Sequence, residues 1–276
     1  MGYDKVTRET NDTTTGNEIT VMIELNGDPG SFALDLGAKP DWMTDAEWDA
    51  WQERIDSDIE FLRTTHSGRA GLEALDQASK DSEGFWWWQD TEHIRILPYQ
   101  PSDGGPASFD QWADAVLNGE RLPGSNPAIE GPQTSIVGWD RSYQTGDRVA
   151  YGHTNVGDFN FGPPSLTLQH ELSHAYDSLH GGVEDGDEEY TEIRRDAQGN
   201  EIQRARVSRA ELNSVGLDTD GNGDPDTIET DDGTAHPDAF TENALRDELR
   251  KPRRDSYTMG TQPRPNRERI TYENAT

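Results

Sequence analysis

The pentad His170-Glu171-Leu172-Ser173-His174 constrains the fold of this chain more than any other stretch. Leu166 and Leu168 lead into it, and Ala175, Tyr176 and Leu179 carry on beyond it, so the segment reads as a helix. Positions i and i+4 of a helix share one face. Both imidazoles therefore aim at one spot, as two neutral rings must to hold a Zn²⁺. Glu171 stands one residue after the first ring, within reach of a water on such a metal as a general base. Zinc lowers the pKa of that water towards about 7. Metal-assisted peptide hydrolysis is the chemistry this outlines, although the same hydroxide also attacks other carbonyls.

A catalytic zinc normally takes three protein ligands, and the chain has no cysteine. The third donor must then be nitrogen or oxygen. After His174 the candidates are Asp177, His180, the acids from Glu184 to Glu192, Glu211, later acids and His236. His180 lies six residues on, where a helix turns it away from the pair. The run from Glu184 to Glu192, with Gly181, Gly182 and Gly186, reads as a solvated loop. Glu211 sits in a helix-like stretch, Val207–Leu217, with Gly216 as its C-cap. A second helix packed on the first could deliver that carboxylate. From spacing alone, a surface acid on an amphipathic helix describes Glu211 equally well.

Four segments occur in a telling order: Gln169–Tyr176, Glu211–Leu217, Thr241–Leu249 and Pro252–Tyr257. The set resembles the NleD-like effector zinc metallopeptidases. Its order of H-E-x-x-H, a distant Glu and R-x-x-Y is also similar to the light chains of the clostridial neurotoxins. The resemblance runs from Pro163 to Tyr257, with a weaker echo in Thr65–Leu75 and Ile94–Leu97. It implies an α+β fold: a zincin-like metallopeptidase domain with a small mixed sheet, the H-E-x-x-H helix and a following ligand helix. It also implies Glu211 as the third zinc ligand beside His170 and His174, Glu171 as the catalytic base, and Arg254 and Tyr257 lining the site. Peptide hydrolysis builds negative charge on the former carbonyl oxygen, so a cation and a phenol donor there lower the barrier; losing one such donor typically costs about 10²–10³ in rate. The implied partner is a protein or peptide substrate. Residues 183–206 and 218–240 look like acidic insertions in the compact pattern, and Lys251 stands where a small apolar residue is commoner.

A second metal motif lies inside the later insertion. Asp218, Asp220, Asn222, Asp224, Asp226 and Glu229, with Gly223 at the sixth position, match a calcium loop. Ca²⁺ takes six to eight hard oxygens, and glycine there permits the sharp turn. Pro225 and weak flanking helices argue against a paired EF-hand, and a solvated acidic turn is the plain alternative. This loop supports a competing function: a non-catalytic, calcium-stabilised binding module with a vestigial zinc site.

Charge narrows the partners further. With 54 acids against 24 bases the net charge is -30, which repels nucleic acid and anionic membranes. Only Lys5, Lys39, Lys80 and Lys251 are lysines; the other bases are arginine. Acid-rich, lysine-poor chains look like proteins of salt-adapted organisms, secreted ones among them. Molar salt shrinks the Debye length to about 3 Å and removes the self-repulsion. The protein is therefore expected to lose structure at low salt; a melting temperature equal in dilute buffer and molar KCl would refute this. No stretch approaches the roughly 18 apolar residues of a membrane span, and Met1–Gly16 lacks the basic-then-apolar pattern of a signal peptide. The absence of cysteine leaves the compartment open.

The organisation expected is a flexible arm over 1–17, one catalytic domain over 18–257 and a disordered tail over 258–276. Apolar residues make up 31% of the chain, but eight Trp and seven Phe can still fill a core. Ile19–Leu25 alternates like a strand. Thr44 and Glu47 form a capping box ahead of Trp48, Trp51, Ile55, Ile59 and Leu62 at helical spacing. Ser67–Ser79 and Phe109–Leu117 read as helices, and His93–Leu97, Thr134–Trp139 and Arg148–Tyr151 as strands, the last two as one hairpin. One of that pair is expected to receive substrate backbone along its edge. The run Phe85–Trp88 is expected to pack in the core.

Overall fold

The computed structural model describes residues 5–12, 16–24, 33–35, 39, 43–82, 94–99, 135–140, 149–150, 161–180, 189–217, 233–257 and 269–274. The calcium motif Asp218–Glu229, the run Phe85–Trp88 and the helix expected at Phe109–Leu117 lie outside them. The fold is α+β, and contacts divide the chain into two compact units. One comprises Met1–Ser57 and Leu75–Thr145; the other comprises Asp58–Ala74 and Gly146–Thr276.

The first unit carries a five-stranded sheet in the order β1-β2-β3-β4-β5. Its strands are β1 Lys5–Asp12, β2 Gly16–Glu24, β3 Ala33–Asp35, β4 Ile94–Tyr99 and β5 Ser135–Asp140. The first three run antiparallel, whereas β3, β4 and β5 run parallel. Strand β1 falls within the segment expected to be a loose arm. A polar strand needs only a partner for its backbone, and the alternating β2 provides one in register from Lys5↔Ile23 to Asp12↔Gly16. The first helix, α1 Asp45–Thr64, begins as its sequence requires. Thr44 N–H donates to Glu47 Oε2 at 2.9 Å, and Glu47 N–H donates back to Thr44 Oγ1 at 3.3 Å. Trp48 and Trp51 stack with ring centroids 4.9 Å apart, and both are buried, as are Met43 and Ile55. That stripe is core, as its spacing suggests.

The start of α2 His66–Ser82, which belongs to the second unit, rests on a carboxylate from far along the chain. Glu248 accepts from His66 N–H at 2.6 Å and Ser67 N–H at 2.9 Å, satisfying two of the donors a helix start leaves open. Gly71 of α2 lies against Phe240; a β-carbon at Gly71 would come within 2.3 Å of that ring. The pentad helix is α3 Pro164–Leu179, and proline suits its first turn because the N–H it lacks has no partner there. Leu166, Leu168, Leu172 and Ala175 are its buried apolar face.

The expected hairpin of two strands does not form. Strand β5 pairs with β4, whereas β6 Val149–Ala150 pairs with β7 Phe161–Gly162. Downstream, the run from Glu184 to Glu192, expected to be a solvated loop, ends inside β8 Glu189–Arg195, and β9 Glu201–Ser208 takes in Val207 and Ser208, expected to be helical. Tyr190, Thr191, Ile193 and Val207 are strong strand formers, and this outweighs the charge around them. Asp196 closes the turn between β8 and β9, its Oδ1 accepting from Gln198 N–H at 2.9 Å and Asn200 N–H at 2.8 Å. The expected disordered tail adds a third strand, β10 Arg269–Asn274, antiparallel to β8. Its order in this second sheet is β10-β8-β9. Ile270, Thr271 and Tyr272 have the composition of a strand and find an edge on β8.

Two short helices complete the unit. Ser208, the last residue of β9, is also the N-cap of α4 Arg209–Val215, accepting from Glu211 N–H. Gly216 ends α4 in the left-handed conformation at φ 71, and a β-carbon there would meet Thr241 at 2.7 Å. A single 3-10 turn, Asp238–Phe240, leads into α5 Glu242–Glu248, capped by Thr241. Among the described residues, no helix is long and apolar enough to cross a membrane.

Candidate metal centre

The helical spacing of the pentad does what it promises. His170 and His174 meet nearly at right angles, with ring centroids 4.8 Å apart and Nε2 atoms 3.2 Å apart. Glu211, in the first turn of α4, closes the triangle. Its Oε2 lies 3.1 Å from His170 Nε2 and 3.3 Å from His174 Nε2. Among the described residues these three form the one group of metal-ligating side chains that could hold an ion.

The triangle passes a simple test of fit. A tetrahedral cation with N and O ligands at about 2.0–2.1 Å separates its donors by about 3.3 Å. The observed edges of 3.1, 3.2 and 3.3 Å are close to that. Of the two ring nitrogens facing away, that of His174 is held as a metal-bound imidazole requires, and that of His170 has a carboxylate nearby without a hydrogen bond. Ser214 Oγ, one turn after Glu211, lies 3.0 Å from His174 Nδ1; accepting from that N–H leaves Nε2 bare. Glu242 Oε2 lies 3.4 Å from His170 Nδ1.

Electrostatics agree with a site built for positive charge. Burial alone would lower the pKa of His170, but the carboxylates of Glu211 and Glu242 beside it, and the charge of Glu171, raise it to about 10. Burial would raise that of Glu211, yet hydrogen bonds from His170 and His174 hold it well below the usual carboxylate range. Two ring nitrogens and a carboxylate oxygen drawn together offer a divalent cation matching partners.

The other candidate ligands lie elsewhere. His180 rests against Tyr176, with ring centroids 4.7 Å apart. His236 and Asp177 pair with each other at 2.6 Å, fully enclosed. They brace the site from below: Asp177 also accepts from Asn213 on α4 at 3.1 Å, and His236 Nε2 lies 3.1 Å from Phe240 O and 3.2 Å from Ser173 Oγ. Gln169 donates to Thr241 O at 2.9 Å. Helix α3 is thus pinned to α4 and to the entry of α5 by buried polar contacts.

Glu171 is half-buried on α3, outside the triangle, and its charge is felt by both His170 and Tyr257. Tyr257 approaches from the segment after α5. Burial pushes its pKa up, and the charge and hydrogen bond of Glu211 push it further, so it remains a phenol donor at any working pH. Arg254 stacks on the Tyr257 ring, its guanidinium carbon 5.0 Å from the centroid. Its donors are committed inward: Nη1 to Glu242 Oε2 at 2.8 Å, Nε to Ser256 O at 3.4 Å, and Nη2 to Tyr257 O. It brings charge to the site and fixes the backbone of Tyr257.

Glu242 carries a role that motif spacing does not reveal. It is 1% exposed and joins Arg254, Arg246 Nε at 2.7 Å, and His170. Its i,i+4 spacing to Arg246 is the one signal in the sequence. The mate of Tyr257 on the other side, Glu192, is likewise a buried acid within a run that reads as solvated.

Comparison with known proteins adds one finding. The model of the peptidase family M91, described as effector protein, matches residues 39–257, well over half of the chain. Neither a curated protein nor a solved structure matches it.

Proposed function

This chain belongs to the M91 peptidase family of effector proteins, whose domain is zincin-like, and on that premise we propose a zinc-dependent endopeptidase with His170, His174 and Glu211 as ligands. A metallopeptidase of this family acts on proteins or peptides. The observation that carries the finer reading is the triangle of two Nε2 atoms and one carboxylate oxygen, with edges of a zinc-sized tetrahedron. Zinc bound there would act as a Lewis acid and make water acidic enough to ionise near neutral pH.

The remaining steps fall to the chain itself. Glu171 takes the proton from the attacking water and returns it to the leaving amine. Tyr257, kept protonated beside Glu211, donates to the carbonyl oxygen as charge gathers on it. Arg254 adds positive charge to the same side and holds Tyr257 in place. Glu242 and Ser214 orient the two imidazoles from behind.

The competing reading of a calcium-stabilised binding module rests on Asp218, Asp220, Asn222, Asp224, Asp226 and Glu229, all outside the described residues. A vestigial site would have no use for Glu171. The net charge supports partners other than nucleic acid or anionic membrane.

Metal analysis tests the proposal directly. The purified protein should carry about one zinc per chain. Glu211→Gln should weaken zinc retention by more than the roughly 10–100-fold typical of changes behind a ligand. Wild-type zinc content in that variant would remove Glu211 from the ligand set.

A further inference from the structure

Glu192 lies at the middle of the second sheet, on β8, directly opposite Ala205 of β9 and Tyr272 of β10. It is 0% exposed. Burying a carboxylate is costly unless its lone pairs are taken up by donors. Oε1 accepts from Ser256 Oγ at 2.6 Å; Oε2 accepts from Tyr257 N–H at 2.8 Å and from Tyr272 Oη at 3.1 Å. Two of these donors belong to Tyr257 and its neighbour. The third belongs to a strand beyond Tyr257, where the family match ends.

Tyr257 is consequently held through both its backbone and its ring. Its N–H is fixed by Glu192 and its carbonyl by Arg254. Its ring packs on the cluster of Val207, Leu212, Val215 and Leu217, which Tyr190 and Tyr272 also flank. The charge of Glu211 is felt at its hydroxyl. Burial and the charge of Glu192 also keep Tyr272 a proton donor. A hydroxyl of such a tyrosine shared between Glu192 and the more distant Asp255 O, at 3.4 Å, favours the charged acceptor.

We infer that Glu192 and Tyr272 are positioning residues for Tyr257, so that the C-terminal strand β10 is a working part of the hydrolytic site. This rests on the proposed role of Tyr257 as donor to the carbonyl oxygen. Strand β10 pairs with β8, and its Tyr272 packs beside the cluster that holds the Glu211 helix. Through Tyr272 it completes the set of donors on Glu192, which fixes where the segment Asp255–Tyr257 leaves the sheet.

The test uses Tyr272→Phe, which removes one hydroxyl and keeps the packing, and Glu192→Gln, each made in wild type and in Tyr257→Phe. Kinetics are read on a quenched fluorescent peptide chosen from a random library by wild-type cleavage. Tyr272→Phe should lower kcat roughly tenfold at unchanged KM and zinc content, with Glu192→Gln lower still. Neither should slow the Tyr257→Phe enzyme further, because the group they position is gone. Amide exchange at Tyr257 should quicken in both variants, with α3 and α4 as protected as before. If Tyr272→Phe keeps wild-type kcat and exchange while Tyr257→Phe is slow, the inference fails alone. Equal losses in both backgrounds would also overturn it, since they indicate a general structural effect. A Tyr257→Phe enzyme as fast as wild type would sink the proposed role of Tyr257 and this inference with it. Should Glu192→Gln not fold, Tyr272→Phe carries the test by itself.

Discussion

Glu171→Gln is expected to lower kcat by roughly 10²–10⁴-fold, the usual contribution of a positioned general base, while zinc content and KM stay near wild type. Glutamine keeps the shape of the side chain and loses only its ability to take a proton. The residue is close enough for its charge to be felt at His170 and Tyr257, yet it forms no edge of the ligand triangle. Removing the charge should therefore spare the metal and abolish the chemistry. A loss confined to kcat marks an interaction used only in the transition state. Activity within a few-fold of wild type would show that another group takes the proton, and loss of zinc would show that Glu171 is a ligand.

Glu242→Gln should be the most destabilising single change near the site. Glu242 neutralises two arginines that are themselves 0% and 6% exposed, Arg246 and Arg254. Breaking a buried ion pair by removing one partner typically costs about 3–5 kcal/mol, because the other charge is left enclosed. Denaturant unfolding in high salt reads this loss. The pH dependence has a definite sign. Burial alone would raise the pKa of Glu242, but Arg254, His170 and Arg246 hold it far below the ordinary carboxylate range. Its stabilisation is thus fully present above about pH 5 and is lost as acid titrates it through its lowered value. The gap between wild type and variant should be flat from neutral pH to about pH 5 and narrow below about pH 4. A constant gap down to pH 2 would mean that the carboxylate is not what the arginines need.

The parts of this protein that its sequence announces are those whose signal is local. The pentad needs only the helix repeat to bring two rings together. Thr44 and Glu47 cap α1 across one turn, and Gly216 ends α4 in the same way, although the helix starts at Arg209 and not at Val207. Glu211 needed the ordered pattern of the family, since spacing alone could not separate a ligand from a surface acid. The buried acids were harder. Glu192 is bound by residues 64, 65 and 80 positions away, and a chain with 54 acids hides a buried carboxylate among solvated ones. Strand β1 is polar, and in β10 only Ile270 and Tyr272 alternate, too short a signal to mark a strand; both are completed by backbone pairing with β2 and β8. Arg254 is legible as a motif residue, but only the fold reveals that its donors turn inward to Glu242 and to the main chain.

The join between β9 and α4 has no slack, because one serine both finishes the strand and starts the helix. A slip of β9 by one place along β8 would drag the carboxylate of Glu211 about 3.3 Å and flip the strand's faces. The hairpin tip at Asp196–Asn200 lies at the opposite end of the ribbon from Ser208, so a change of its length should leave the join in place. An extra residue at Ser208–Arg209 cannot be absorbed in the same way, so change in this lineage should collect at the far end of the ribbon and spare its root.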